Sequence, residues 1–139
     1  PDAPGPFPVL LMRQAYGRRI ASAICYAHPS WYAARGYVVV IQDVRGRGTS
    51  EGRFTALENE IADGAETVAW AASLAGTTGA VGMSRFSYQG IDQLAAAVKA
   101  GPALKALAPA MFPAHPRRDW ACENGALRLQ SALGLPVGA

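Results

Sequence analysis

Ala80-Val81-Gly82-Met83 leads into Arg85-Phe86-Ser87-Tyr88-Gln89-Gly90 and then into the alanine-rich run Ile91 to Ala100. The apolar segment reads as a strand, the hexapeptide as a sharp turn, and the last run as a helix. A serine at such a junction has its oxygen pushed clear of the sheet, with the helix N-terminus behind it offering backbone N–H groups. Strand and helix approach closely two residues before the serine, where a nearly side-chain-free residue is expected; this chain has Arg85. Ser84 competes for the same role and has a glycine two before it, Gly82, but bulky Phe86 follows and Ser84 still lies in the strand. Ser87 also suits plain helix capping, so the local pattern leaves nucleophile and N-cap both open.

Working outward, Phe7–Arg13 is a short apolar run that predicts a strand buried on both faces. Ser30 caps an expected short helix to Arg35, stopped by Gly36. Tyr37–Ile41 is continuous and β-branched, a strand with helices expected over both faces. Arg45 to Thr55 is glycine-rich and charged, a loop at that strand's C-terminal end, where open α/β sheets carry function. Arg45 and Glu51 are expected to tie it down, with Asp43 capping the strand. Its Gly46-Arg47-Gly48-Thr49-Ser50-Glu51-Gly52 is one residue off a dinucleotide fingerprint and lacks the Gly-Lys-Ser/Thr of a phosphate loop. Glu58–Leu74 spaces Ile61, Ala65, Val68 and Ala72 for an amphipathic helix with acids near its start. Leu104–Pro109 predicts a fourth strand, and Asp119–Leu133 one more helix with Trp120, Leu127 and Leu129. The alternation β-α-β-α-β-α-β-α implies an α/β fold, a mostly parallel sheet with helices on both faces.

Composition narrows the function. In 139 residues, 50% are hydrophobic and 17% charged, enough apolar material for a compact domain. The net charge of +3 comes from scattered arginines, paired tightly only at Arg45/Arg47 and Arg117/Arg118, and without interleaved aromatics; we expect no nucleic-acid partner. No leader-like start and no apolar stretch of spanning length is visible, so we expect no membrane partner and a soluble, cytoplasmic protein. Cys25 and Cys122 are far apart and flank no metal-ligand spacing, which reads as reduced, buried thiols and no metal site. The opening Pro1-Asp2-Ala3-Pro4-Gly5-Pro6 is linker-like, as in a piece of a longer chain, and the prolines from Pro109 to Pro116 mark a subdomain boundary.

Several blocks in order then carry a family resemblance: Pro8-Val9-Leu10-Leu11, Gln14-Ala15-Tyr16-Gly17-Arg18, Arg35-Gly36-Tyr37, and Gln42-Asp43-Val44-Arg45-Gly46-Arg47-Gly48-Thr49-Ser50-Glu51-Gly52. Asp63-Gly64, Trp70, Val81-Gly82, Phe86-Ser87-Tyr88-Gln89-Gly90, Asp119-Trp120 and Asn124-Gly125-Ala126 follow. Along almost its whole length the chain resembles the serine-hydrolase family of cocaine esterase, α-amino acid ester hydrolases and Xaa-Pro dipeptidyl-peptidases. The resemblance implies an incomplete α/β-hydrolase core over residues 1–110 and the start of a helical cap over 111–139.

It also implies Ser87 as nucleophile, with the Tyr16 hydroxyl and the Tyr88 backbone N–H as oxyanion donors. Trp120 would line the substrate pocket, a small ester or amide would be the substrate, and no cofactor would be required. Where the family usually has proline, this chain has Ala15, which implies a looser Tyr16 loop. Arg85 replaces the family's glycine, which implies a bent strand or a side chain beneath the elbow, and impaired catalysis. The family's base histidine and orienting aspartate lie far downstream of the serine. His28, His115, Asp92 and Asp119 do not fit those roles, so the chain alone is expected to be inactive or weak, with self-association through uncovered sheet edges. The alternative is a non-catalytic domain of the same ancestry, decayed or used for interaction.

Overall fold

The computed structural model describes residues 4–20 and 26–129. Four strands form one parallel sheet: β1 (Phe7–Gln14), β2 (Val38–Asp43), β3 (Thr77–Phe86) and β4 (Leu104–Ala110), in the order β2-β1-β3-β4. Helices α1 (Pro29–Ala33), α2 (Glu60–Ala72) and α3 (Tyr88–Ala97) fill the crossovers between them. The expected α/β architecture is present. Parallel strands need crossovers long enough to return to the same end of the sheet, which is why the helical runs alternate with the strand runs in sequence.

The core follows from the strand period of two. Val9 and Leu11 on β1, with Val81 and Met83 on β3, point to one face and pack on Val68 and Ala71 of α2 and on Ala96 and Ala100. α2 and α3 pack on each other over that face, and α1 lies against β2. β2 and β4 are the sheet's outer strands, so the β2 residues are only half-buried rather than enclosed on both sides.

Three local expectations need correction. α1 is capped by His28, whose Nδ1 accepts from the Ser30 amide at 3.3 Å, rather than by Ser30; Pro29 takes the first helical position, where a missing N–H costs nothing. The helix expected over Asp119–Leu133 is not formed in its described part. Pro116–Ala121 makes a single wide helical turn, and Cys122–Glu123 (β5) pairs antiparallel with Ala126–Leu127 (β6). Asn124 and Gly125 connect them with φ of 49° and 87°, the left-handed pair that a two-residue hairpin turn demands, and this local signal outweighs the weak helical spacing of Trp120, Leu127 and Leu129. Residues 130–133 lie outside the described part. Cys122 is half-buried rather than enclosed, and Cys25 also lies outside the described residues. Among the described residues, no helix is long and apolar enough to cross a membrane.

Candidate active site

β3 runs without a break into the elbow. Ser87 has φ 61° and ψ −130°, a conformation that costs a non-glycine residue roughly 1–3 kcal/mol and persists only where surroundings impose it. Those surroundings are visible. The Ser87 amide donates to the Ala110 carbonyl of β4 at 3.0 Å, while the Ser87 carbonyl accepts from Gly90 and Ile91 at 2.9 and 3.2 Å, starting α3. A Cβ at Gly90 would meet the Ala110 carbonyl oxygen at 3.1 Å and Phe112 at 3.3 Å, so the second glycine of the elbow is needed for close approach. Ser87 therefore heads α3 without a side-chain capping bond, and its Oγ lies 3.1 Å from the Tyr16 hydroxyl.

Tyr16 follows directly from the end of β1. The buried Gln14 accepts from Gln89 Nε2 at 2.9 Å, which ties the end of β1 to the first turn of α3 and so holds the Tyr16 loop beside Ser87. Ala15 is buried in that loop. Gln93 adds a second brace: its Nε2 donates to the carbonyls of Arg85 and Gln89 at 3.0 and 3.1 Å, and its Oε1 accepts from the Ala108 amide at 3.0 Å. One side chain thus laces α3 to β3 and β4 around the turn. The Tyr88 N–H is the first amide of α3, among those an α-helix leaves without an internal acceptor.

Arg85 neither bends the strand away nor breaks its pairing, since Arg85 and Phe86 remain in register with Pro109 and Ala110. Its φ is 127°, in territory almost reserved for glycine, and its side chain is 3% exposed beneath the elbow. The guanidinium lies 4.5 Å over the Tyr26 ring and 5.2 Å from that of Tyr32 in α1. Cation–π contact replaces the usual carboxylate partner there. The serine oxygen keeps its 3.1 Å contact with Tyr16 all the same.

Beneath Tyr88 lies a buried charge cluster that pattern reading did not single out. Arg13 Nη1 sits 2.8 Å from Glu60 Oε2, with side chains 1% and 3% exposed, and Arg13 Nε donates to Gln42 at 2.8 Å. The Tyr88 hydroxyl donates to Glu60 Oε1 at 2.9 Å and accepts from the Leu57 amide at 3.2 Å. Burial and the Glu60 charge hold its pKa well above the ordinary phenol value. Asp92, fully buried on α3, has neither carboxyl oxygen hydrogen-bonded among the described residues. Burial first, and then Glu60, push its pKa up to about 9 against the opposing pull of Arg13. One arginine faces two acids, and a protonated Asp92 leaves the cluster neutral. The visible signal was Arg13 itself, a lone charge inside an apolar strand.

This cluster makes a pH prediction. A carboxyl whose folded pKa is raised holds a proton that the unfolded chain releases, so its effect on stability worsens as pH climbs from about 4 to about 9. Asp92→Asn should leave the urea midpoint unchanged near pH 4 and gain roughly 2–4 kcal/mol at pH 8. Equal shifts at both pH values would mean that Asp92 is ionised when folded.

The loop after β2 closes on its own groups. Asp43 Oδ2 accepts from the Thr49 amide at 3.0 Å, and Ser50 Oγ donates to the Asp43 carbonyl at 2.7 Å. Arg45 donates through Nε and Nη2 to the two carboxylate oxygens of Asp63 in α2, at 2.9 and 2.6 Å, and its guanidinium holds the Asp63 carboxyl below the usual range. Glu51 contributes only its carbonyl, to the Gly46 amide at 3.0 Å, so Arg45 anchors the loop through Asp63 rather than in concert with the Glu51 side chain.

Ser87, Tyr16 and Tyr88 open on one cavity of about 820 Å³. Its walls are largely apolar, with Phe54, Ile91, Met111, Phe112 and Trp120 among them, while Arg47 and Asp119 are its charged members. Neither histidine bonds to Ser87. His28 Nδ1 meets Ser30 Oγ at 2.8 Å, and His115 Nδ1 accepts from the Arg118 amide at 3.2 Å. The structure brings together Ser87, Tyr16, Tyr88 and Trp120, and adds Arg47, Phe112 and Asp119, which the sequence pattern alone did not place there.

Comparisons with known proteins identify the family and fold. The sequence profile of the X-Pro dipeptidyl-peptidase (S15 family) matches residues 1–137. Cocaine esterase of Rhodococcus sp. (strain MB1 Bresler) is 41% identical over 137 residues, covering 96% of this chain and 24% of the esterase. Among solved structures, a CocE/NonD family hydrolase from Staphylococcus aureus superposes with a TM-score of 0.67 at 27% identity, covering 77% of this chain and 22% of that one. An aminopeptidase from a marine sediment Thaumarchaeota archaeon does so with a TM-score of 0.73 at 26% identity, covering 96% and 25%. The chain therefore spans about a quarter of the length of these relatives. On the match over residues 1–137, the chain belongs to the X-Pro dipeptidyl-peptidase (S15) family of hydrolases.

Proposed function

We propose that this chain carries the nucleophile and oxyanion donors of a hydrolase acting on small ester or amide bonds through an acyl-Ser87 intermediate. The observation that carries this is the 3.1 Å approach of the Tyr16 hydroxyl to Ser87 Oγ at a strained strand–helix turn, at the mouth of an apolar cavity.

Ser87 Oγ attacks the substrate carbonyl carbon and loses its proton to a base. The carbonyl π electrons move to oxygen, where the Tyr16 hydroxyl and the Tyr88 N–H receive the charge. Collapse expels the alcohol or amine, which takes up the proton, and water then repeats the sequence to release the acid and restore Ser87. Trp120 and Phe112 supply apolar surface to the bound group. His28 and His115 are both engaged in capping, so the base is assigned to a part of the protein outside the described residues, in line with the quarter-length coverage of the relatives. Residues 111–114, Asp119 and Trp120 line the cavity, and the stretch from 111 is read as the beginning of a cap over the core that precedes it.

A fluorophosphonate is the direct test. We expect the chain alone to be labelled slowly, at Ser87 only, with the rate rising on addition of imidazole as a surrogate base and no label in Ser87→Ala. Failure to label Ser87 even with imidazole would instead favour a non-catalytic domain of hydrolase ancestry.

A further inference from the structure

Of the two charged residues in the cavity wall, Asp119 is already satisfied: Arg118 Nε donates to it at 2.8 Å and the His115 amide at 2.8 Å. Arg118 holds that carboxyl below its ordinary pKa. Arg47 is different. Its guanidinium carbon lies 4.5 Å over the Phe54 ring, and among the described residues it forms no ion pair. Its buried Nε has no hydrogen-bond partner there.

Arg13 has Glu60 and Arg45 has Asp63. Arg85, like Arg47, rests on aromatic faces with buried N–H groups unpartnered among the described residues, but of these two only Arg47 lines the cavity. The Arg47 backbone is fixed in its turn, because its amide donates to the Val44 carbonyl at 3.0 Å and its carbonyl accepts from the Ser50 amide at 2.9 Å. A guanidinium flat on an aromatic face keeps its in-plane N–H groups free, and their fork matches a carboxylate better than any neutral acceptor. Because Asp119 is balanced by Arg118, Arg47 is the uncompensated charge among the described residues that line the cavity.

We infer that Arg47 makes the Ser87 cavity selective for esters or amides that bear a second, ionised carboxylate, which the guanidinium binds while the scissile carbonyl lies at Ser87. The inference rests on reading this cavity as the acyl-transfer site, and it specifies the class of substrate.

The test compares 4-phenylbutyrate with its neutral isostere 4-phenylbutanamide, each titrated into the chain while the indole N–H resonance of Trp120 is followed by NMR. The carboxylate should bind about tenfold more tightly, as a charge-assisted hydrogen bond implies. Arg47→Gln should bring the two probes to parity, whereas Arg47→Lys, which keeps the charge, should retain part of the difference. Equal affinities in the parent chain, a preference that survives Arg47→Gln, or no binding of either probe would each overturn the proposal. Because this readout is binding, it is independent of Ser87 labelling: loss of labelling with the preference intact would fault the catalytic reading, and the reverse result would fault the assignment of Arg47.

Discussion

Tyr16→Phe should slow phosphonylation of Ser87 by about a hundredfold to a thousandfold, the cost of removing one donor from an oxyanion hole. The phosphoryl oxygen of the reagent accumulates charge during attack, much as an ester carbonyl does, and on the proposed mechanism the phenol, whose oxygen lies 3.1 Å from Ser87 Oγ, is its side-chain donor. Tyr16 is 53% exposed, so losing its hydroxyl should leave the thermal unfolding midpoint almost unmoved. A residual rate remains because the Tyr88 amide is untouched. The measurement is the second-order labelling constant of the two proteins, with imidazole present at equal concentration. A slowing of less than about threefold would mean that the phenol only packs beside Ser87 and that the family reading of Tyr16 is wrong.

Arg13→Met should be the most damaging single change to stability, about 3–5 kcal/mol, because it strips a buried pair of its cation while leaving the anion in place. Glu60 would face Asp92 with nothing between them to offset the charge. The Tyr88 hydroxyl donates to the same carboxylate, so the loss should loosen the first turn of α3 and with it the labelling rate of Ser87. Arg13→Met combined with Glu60→Gln should recover a large part of the loss, since no uncompensated charge then remains buried. Urea denaturation of the two variants at pH 7 reads this directly. If the single variant costs less than about 1 kcal/mol, the Arg13–Glu60 pair behaves as a solvated surface pair rather than a buried one.

Both results concern groups whose importance differs in how it could be read. Ser87 was legible because an apolar strand run, a turn hexapeptide and an alanine-rich helix run adjoin it in sequence; the covalent connection alone puts the serine at the junction. Tyr16 was legible only through the family blocks, since seventy-one positions separate it from Ser87 and nothing local marks it. The consequence of Arg85 could be framed but not resolved. Whether an arginine at that position bends the strand or tucks beneath the turn depends on Tyr26 and Tyr32, two aromatics whose spacing in the chain carries no hint that they converge. The hairpin at Asn124-Gly125 carries a local signal, for that dipeptide favours the left-handed backbone of a tight hairpin turn.

What local chemistry settled here is the alternation of strand and helix, hence a parallel α/β sheet, and the serine at its elbow, because periodicity and turn residues act over neighbouring positions. Only the folded chain settled which charges meet. Arg13 with Glu60 and Asp92, and Arg47 left facing a cavity while Arg45 takes Asp63, follow from which elements lie side by side, and the worth of each charge depends on burial that no short stretch of sequence contains.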